Sequence, residues 1–404
     1  VRTRNRDIDY RYRQDSDFYY VSGFAEPQAV IVLAPGRDRG EYLLFCRERD
    51  ADRERWDGTI TGPDRAVAEY GADDAFPVDD IDDILPGLLE RAERVYYTMG
   101  VYPDFDHQLS DWLNALRGRG SAGVHTPQEF VSLEHLLHDM RLYKSRAELS
   151  ALRRAARVTV AAHRRAMQAA RPGLYEYELE AEFSHEFRSA NGDHAYPPIV
   201  GSGRNACVLH YTANSAPLQD GDLVLIDAGC ELDYYAADVT RTFPVGGRFT
   251  APQRSVYGIV LAAQAAAIDC LRPGRHWNEA HDAATRVVTE GLKELKVLSG
   301  DTDGLLEREA YKPYFMHRTG HWLGIDVHDV GDYRVGDTWR ELEPGMVTTV
   351  EPGLYLPDDT AVPEPFRGIG VRIEDDVAVT RDEPDVLTRA LPKTPDDVEA
   401  CVAG

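Results

Sequence analysis

Two acidic residues of this chain stand in the same frame of glycines. Asp227, in Gly221-Asp-Leu-Val-Leu-Ile-Asp227-Ala-Gly229, and Glu351, in Gly345-Met-Val-Thr-Thr-Val-Glu351-Pro-Gly353, each lie six residues after one glycine and two before another. A second acid follows each frame: Asp238 in a strand expected over 237–243, and Glu374 in a strand expected over 370–380. Between the two halves, Phe315-Met-His317-Arg-Thr-Gly-His321-Trp-Leu-Gly-Ile-Asp-Val-His328 gathers three of the chain's 13 histidines into twelve residues. Four carboxylates buried close together raise one another's pKa and do not all stay ionised without compensating charge. Divalent metals are the ordinary compensation. Hard oxygen ligands with one imidazole, here His321, suit manganese, cobalt, iron or zinc rather than a thiolate-type site.

Singly, each residue has a plainer reading. Asp227 alone is a strand-end cap, Asp238 or Glu374 a solvated strand residue, and His210 a satisfied interior histidine. An i, i+4 helical pairing of His317 with His321 is disfavoured by Gly320 and Gly324. The shared glycine frame together with the histidine cluster points instead to one metal site.

Such a site needs elements that bring distant acids together, and the chain repeats itself in a way that supplies them. Ser145-Arg-Ala-Glu148 is a capping box, followed by Leu149, Leu152, Ala156 and Val160 at helical spacing until Arg171-Pro172-Gly173. A second helix expected over 252–271 also ends in Arg272-Pro273-Gly274, and each tripeptide leads into another helix, near 175–190 and near 278–296. Two helix pairs thus echo each other, each followed by a glycine-framed strand. If the halves of this duplicated α/β unit face each other, Asp227, Asp238, Glu351 and Glu374 meet at the middle of a shared curved sheet.

The residues before the capping box read differently. Apolar runs at 28–34 and Tyr42–Cys46, joined by the turn-forming Pro35-Gly36-Arg37-Asp38-Arg39-Gly40, alternate with helix-like stretches such as 108–117. The expectation is a small N-terminal α/β domain over 1–144 and a larger domain over 145–404. A length of 404 residues exceeds what one hydrophobic core usually serves.

Composition excludes several function classes. With 45 basic and 69 acidic residues the formal charge is −24, which argues against a nucleic-acid backbone or an anionic membrane surface as partner. The longest apolar run, 259–268, contains Gln264 and falls short of the roughly 20 residues of a membrane span. Cys46, Cys207, Cys230, Cys270 and Cys401 are odd in number and lack C-x-x-C spacing, so free thiols in a reducing cytoplasm are expected. The chain opens at Val1 without a methionine, and no charged-then-apolar leader pattern precedes the first expected strand.

The same segments carry a family resemblance. Ile199-Val-Gly-Ser-Gly203, Leu209-His210-Tyr211-Thr212, Leu225-Ile-Asp227-Ala-Gly229, Ala237-Asp238-Val-Thr-Arg241-Thr242, the histidine segment, Thr349-Val-Glu351-Pro-Gly-Leu-Tyr355 and Gly370-Val-Arg372-Ile-Glu374-Asp375 resemble bacterial aminopeptidase P, a member of the pita-bread metallopeptidases. The likeness extends to Tyr12-Arg13-Gln14-Asp15-Ser16-Asp17-Phe18 and Gly23-Phe24 and covers nearly the whole chain. It implies a creatinase-like N-terminal α/β domain and a pita-bread catalytic domain with pseudo-twofold helix pairs and a curved sheet. It also implies a dinuclear site, usually of manganese: Asp227 on one metal, Asp238 and Glu374 bridging, His321 and Glu351 on the other, with a hydroxide between the metals. Glu351 then takes the nucleophile's proton, and His210, His317 and His328 line the cleft and serve the tetrahedral intermediate and the leaving nitrogen.

Tyr355, Arg372 and Tyr196 fall at or near cleft positions of the same pattern, and Trp56 matches a tryptophan that reaches a neighbouring subunit's cleft. Packing within its own domain is the other reading of Trp56. The implied partners are peptides with an Xaa-Pro N-terminus and further copies of the chain in a dimer or tetramer. In departure from the pattern, the chain starts where the N-terminal domain is already under way, the spacing between Gly331 and Leu342 differs, and Gly320 stands where serine is common. The activity implied is hydrolysis of the first bond of peptides with proline second. A proline dipeptidase uses the same five ligands and is the alternative. A methionine aminopeptidase fits the N-terminal domain and Arg372 less well, and a metal-free peptide-binding module fits the complete ligand set poorly.

Overall fold

Alternation along the strand Tyr42–Cys46 organises the first part of the chain. Leu43 and Phe45 point to one face and pack with Ile81, Leu85, Leu109 and Trp112 of the helices Ile81–Leu89 and Pro103–Gly118. Leu44 and Cys46 point to the other, against Phe24 and Ala66 of the helix Gly62–Tyr70. A strand buried on both faces is what a sheet between helices requires. Val30–Leu33 pairs with it antiparallel and Asp74–Pro77 parallel. The computed structural model describes residues 2–90 and 92–404, and the chain divides into two compact units, Val1–Leu137 and His138–Gly404.

In the second unit the helix Arg146–Ala169 starts at the expected capping box, Ser145 accepting from Glu148 N and the Glu148 carboxylate accepting from Ser145 N at 2.7 Å. Glu176–Ser189 completes the first helix pair; Ala251–Asp269, capped by Thr250 and Gln253, and Asn278–Glu294 form the second. Each pair is followed by strands whose alternation separates core from site. Val224 and Ile226 enter the main core, while Leu225 packs with Tyr355 on the opposite face, the face that Asp227 shares. Likewise Ile369, Val371 and Ile373 enter the core.

One expectation needs correction. Asp238 and Glu374 do not lie within strands: Asp238 precedes the strand Thr240–Pro244, and Glu374 falls in a break between Ile369–Arg372 and Asp375–Ala378. The curved sheet is accordingly divided into small antiparallel groups, Ile199–Ser202, Leu223–Asp227 and Thr240–Pro244 in one half, Val347–Val350 with Asp375–Ala378, and Gly353–Leu356 with Ile369–Arg372, in the other. The reason is that both acids spend their backbone N–H on the opposite half. Glu374 N donates to Thr240 O at 3.0 Å, and Asp238 N donates to the Asp376 carboxylate at 3.2 Å.

The helix Arg146–Ala169 is tied to the first half by a fully buried histidine. His163 Nε2 lies 3.2 Å from Ala228 O and 3.0 Å from Val239 O, the residues following Asp227 and Asp238. Two carbonyl partners require Nε2 to carry a proton and donate to both. Burial, reinforced by the Arg241 charge, pushes the imidazole down to about 3 from 6.5. The unfolded chain takes up this proton below pH 6.5 while the folded chain does not until near pH 3, so stability falls as pH drops through that window. We predict that His163→Gln, which keeps a donor but cannot titrate, flattens the decline of the denaturation midpoint between about pH 6.5 and 5, by about 1.4 kcal/mol per pH unit at most. Parallel profiles for the two proteins would contradict it.

Candidate metal centre

Asp227 ends the strand Leu223–Asp227, directly opposite Thr240, and the glycine two residues on is there for a steric reason. A Cβ at Gly229 would stand 1.6 Å from Ala237 O, so only glycine lets the stretch bearing Asp238 approach. Tyr196 spans the two acids, its hydroxyl donating to Asp227 Oδ1 at 2.5 Å and also to the Asp238 carboxylate. Across the seam Thr240 Oγ1 donates to Glu374 Oε2 at 2.7 Å.

The fourth acid, Glu351, directly follows the strand Val347–Val350, and the imidazole arrives on a loop laid along that strand. Thr349 N donates to His321 O at 2.9 Å and Glu351 N to Thr319 O at 2.8 Å. At Gly320 a Cβ would stand 2.1 Å from Thr349 O, so this backbone admits only glycine. Trp322 stacks on Tyr333 with ring centroids 5.3 Å apart, and buried Asp329 receives Arg141 at 2.6 Å and Lys144 at 2.8 Å. Irregular backbone is thereby held as firmly as a strand. His321 Nδ1 faces Trp322 O at 3.0 Å, which leaves Nε2 directed at Asp238 Oδ2, 3.3 Å away, and at Glu351 Oε1, 3.5 Å away. Such a second contact fixes the tautomer of a metal-binding histidine. Ligand atoms of Asp238, His321 and Glu374 all lie within 4.8 Å of one another.

The electrostatics follow from burial. Glu374 is pushed well above the ordinary carboxylate range by burial, then by Asp238, Glu351 and Asp227. Burial also raises Asp227, against the pull of Arg372, and lifts Glu351 to about 7. Burial opposes charge on His321 as well, but Asp238 and Glu351 outweigh it and raise the imidazole to about 9. Asp238 is lowered despite its burial because His321 and Tyr196 bond to it. Burial and mutual repulsion disfavour simultaneous ionisation of these carboxylates. The donors, oxygens plus one imidazole nitrogen, are chemically fit for a hard divalent cation, which inverts this titration logic.

The remaining candidates divide into two groups. His317, Tyr355 and Arg372 form a connected chain behind the acids: His317 Nδ1 faces Arg318 O at 2.7 Å, its Nε2 lies 2.9 Å from the Tyr355 hydroxyl, and Arg372 reaches Tyr355 at 2.8 Å and Asp227 Oδ2 at 2.6 Å. Arg372 is thus a buried partner of Asp227. Burial drives His317 down to about 3, with Arg372 adding to it. His328 and His210 are exposed, the His328 ring lying 4.2 Å from the His321 ring. Trp56 belongs to the N-terminal unit, where it is 89% exposed on the helix Ala51–Asp57 and so is not part of that unit's core.

Sequence reasoning passed over Thr240, Thr349 and Asp376. Thr240 secures Glu374, Thr349 Oγ1 lies 3.3 Å from Glu351 Oε1, and Asp376 secures the Asp238 backbone. The only local signal was the acidic run Glu374-Asp375-Asp376 in an otherwise apolar stretch.

Comparison with known proteins agrees with this geometry. The model of metallopeptidase family M24 matches residues 150–381, and that of the aminopeptidase P N-terminal domain matches residues 1–96. The chain is 46% identical over 400 residues to an Xaa-Pro aminopeptidase of Escherichia coli, spanning 98% of this chain and 90% of that protein. It superimposes on the Pseudomonas aeruginosa aminopeptidase PepP structure with a TM-score of 0.97 at 59% identity, covering 99% of this chain and 91% of that one. Zinc-substituted E. coli aminopeptidase P in complex with product gives a TM-score of 0.96 at 45% identity, covering 100% and 92%.

A cation held by these acids stabilises the folded state by mass action, by about 2.7 kcal/mol at a hundredfold excess over Kd. Thermal unfolding after chelation and after adding Mn2+ or Zn2+ is therefore expected to show a rise of several degrees with metal, reduced in Asp238→Asn. An unchanged midpoint in the parent protein would contradict a metal centre here.

Proposed function

Because the chain belongs to metallopeptidase family M24, we propose that it is an Xaa-Pro aminopeptidase, hydrolysing the first bond of peptides whose second residue is proline. The observation that carries the proposal is the convergence of Asp227, Asp238, His321, Glu351 and Glu374 beside the histidines His317 and His328. We read these five side chains as the ligands of two divalent ions, Mn2+ foremost, with Co2+, Zn2+ and Fe2+ compatible with the same donors. Bound there, the ions supply Lewis acidity to the scissile carbonyl and acidify a water.

The chain's own groups do the rest. The Glu351 carboxylate, partly accessible and 3.7 Å from His317 Nδ1, is placed to take a proton from the attacking water. Proline's nitrogen carries no hydrogen in a peptide bond and must gain one to leave. We assign delivery of that proton to His328, exposed beside the His321 ring, with His210 on the same rim. His317, part-exposed and locked through Nε2 to the hydroxyl of buried Tyr355, offers a rigid wall for the ring, and Arg372 holds Tyr355 from behind. Tyr196 fixes the spacing of Asp227 and Asp238 rather than contributing a free hydroxyl.

No helix among the described residues is long and apolar enough to cross a membrane. The free cysteines suit a reducing cytoplasm. Trp56, being exposed, suits contact with another copy of the chain in a homodimer or homotetramer.

The substrate test compares an Xaa-Pro-Xaa tripeptide, its Xaa-Ala-Xaa analogue and the Xaa-Pro dipeptide at equal concentration with the metal-loaded enzyme. We expect the tripeptide to be cleaved well above the other two. Efficient cleavage of the dipeptide alone would make the chain a proline dipeptidase, and equal cleavage of the alanine analogue would remove proline specificity. In a separate test, His328→Ala is expected to lower kcat on the order of 100-fold while leaving metal content unchanged. Near-normal turnover would return His328 to a surface residue.

A further inference from the structure

Glu176 is the first residue of the helix Glu176–Ser189 and is fully buried, an unusual place for a lone acid. Among the described residues its carboxylate has no cationic partner; it is satisfied by five donors instead. Oε1 accepts from Ser202 N at 2.7 Å, Ser202 Oγ at 2.8 Å and Asn205 Nδ2 at 3.0 Å. Oε2 accepts from the Tyr211 hydroxyl and from Ala216 N, both at 2.8 Å. Hydrogen bonds to an ionised acceptor are about twice as strong as neutral ones.

These donors are not scattered. Ser202 ends the strand paired with Leu223–Asp227, and Asn205, Tyr211 and Ala216 all lie on the connection that follows it. That connection carries His210. The His210 imidazole makes no side-chain hydrogen bond among the described residues, so its placement depends on its neighbours. Leu209 and Tyr211 pack against the cluster containing Tyr355 and Leu225, and Tyr211 is locked by Glu176. One buried charge thus gathers the strand end, the turn and the far end of the connection into a fixed frame around a histidine that has no anchor of its own.

We propose that Glu176 is a positioning residue for the reaction, holding the connection so that His210 stands over the metal centre. The inference rests on the reading of His210 as a cleft group. Glu176→Gln replaces one oxygen by an amide that confronts donors already aimed there. Tyr211→Phe removes a single donor and keeps the ring's packing, and so remains informative if Glu176→Gln folds poorly.

With metal-loaded enzyme and the Xaa-Pro-Xaa tripeptide, each variant is expected to lower kcat on the order of 10- to 100-fold, the scale of a misplaced group, with bound metal unchanged. Combined with His210→Ala, neither is expected to lower kcat further, because the group each one positions is already gone. If the losses multiply instead, or if both single variants keep full turnover, Glu176 is a folding residue and the inference is overturned while the cleft reading stands. If His210→Ala alone costs no turnover, the cleft reading of His210 fails and the inference falls with it.

Discussion

The structure is arranged around one electrostatic constraint: four carboxylates occupy a buried place where they cannot all be charged by themselves. Burial holds Glu351 and Glu374 above the usual carboxylate range, and among the described residues the Arg372–Asp227 pair and the raised His321 supply counter-charge. Keeping such a cluster folded requires either protons or metal. The local architecture is what prevents the acids from simply separating.

That architecture is a pair of halves cross-bonded at the acids themselves. The break in each sheet at Asp238 and Glu374 frees a backbone N–H to bond across the seam. Behind the seam, Arg241 donates to Thr240 O at 3.0 Å and also to Glu374 O, while its other nitrogen meets buried Asp375 at 2.7 Å, which Lys393 and Thr388 also bind. A buried pair of this kind is weak evidence for stability, but removing one partner leaves an uncompensated buried charge and is costly. At the back Arg241 and Lys393 pair with Asp375, whereas at the front Glu374 accepts from the Thr240 hydroxyl.

Much of this was legible in the sequence because it rests on local necessity. The glycine frames marked Asp227 and Glu351 since Gly229 must admit the Ala237 carbonyl and the Cβ position of Gly353 is taken by the Tyr355 side chain. The capping box at Ser145 and the Arg-Pro-Gly stops located the helices because caps and breakers act over four residues. What escaped was decided by contacts remote in the chain. Asp238 and Glu374 read as strand residues because alternation alone does not reveal that their N–H groups are spent across the seam. Glu176 meets Tyr211 and Ala216 at separations of 35 and 40 residues, and no spacing rule announces such a partner. Arg372 read as a cleft position, and the structure shows it in a buried pair with Asp227.

The central claim is that the carboxylate cluster is completed by metal and that this completion is what makes the protein a peptidase. Elemental analysis of the purified protein, joined to a chelation and re-addition series read by cleavage of a proline tripeptide, tests it most directly. The account predicts about two divalent ions per chain, loss of cleavage on chelation and recovery on re-addition. Full cleavage by protein shown to be free of metal would contradict it.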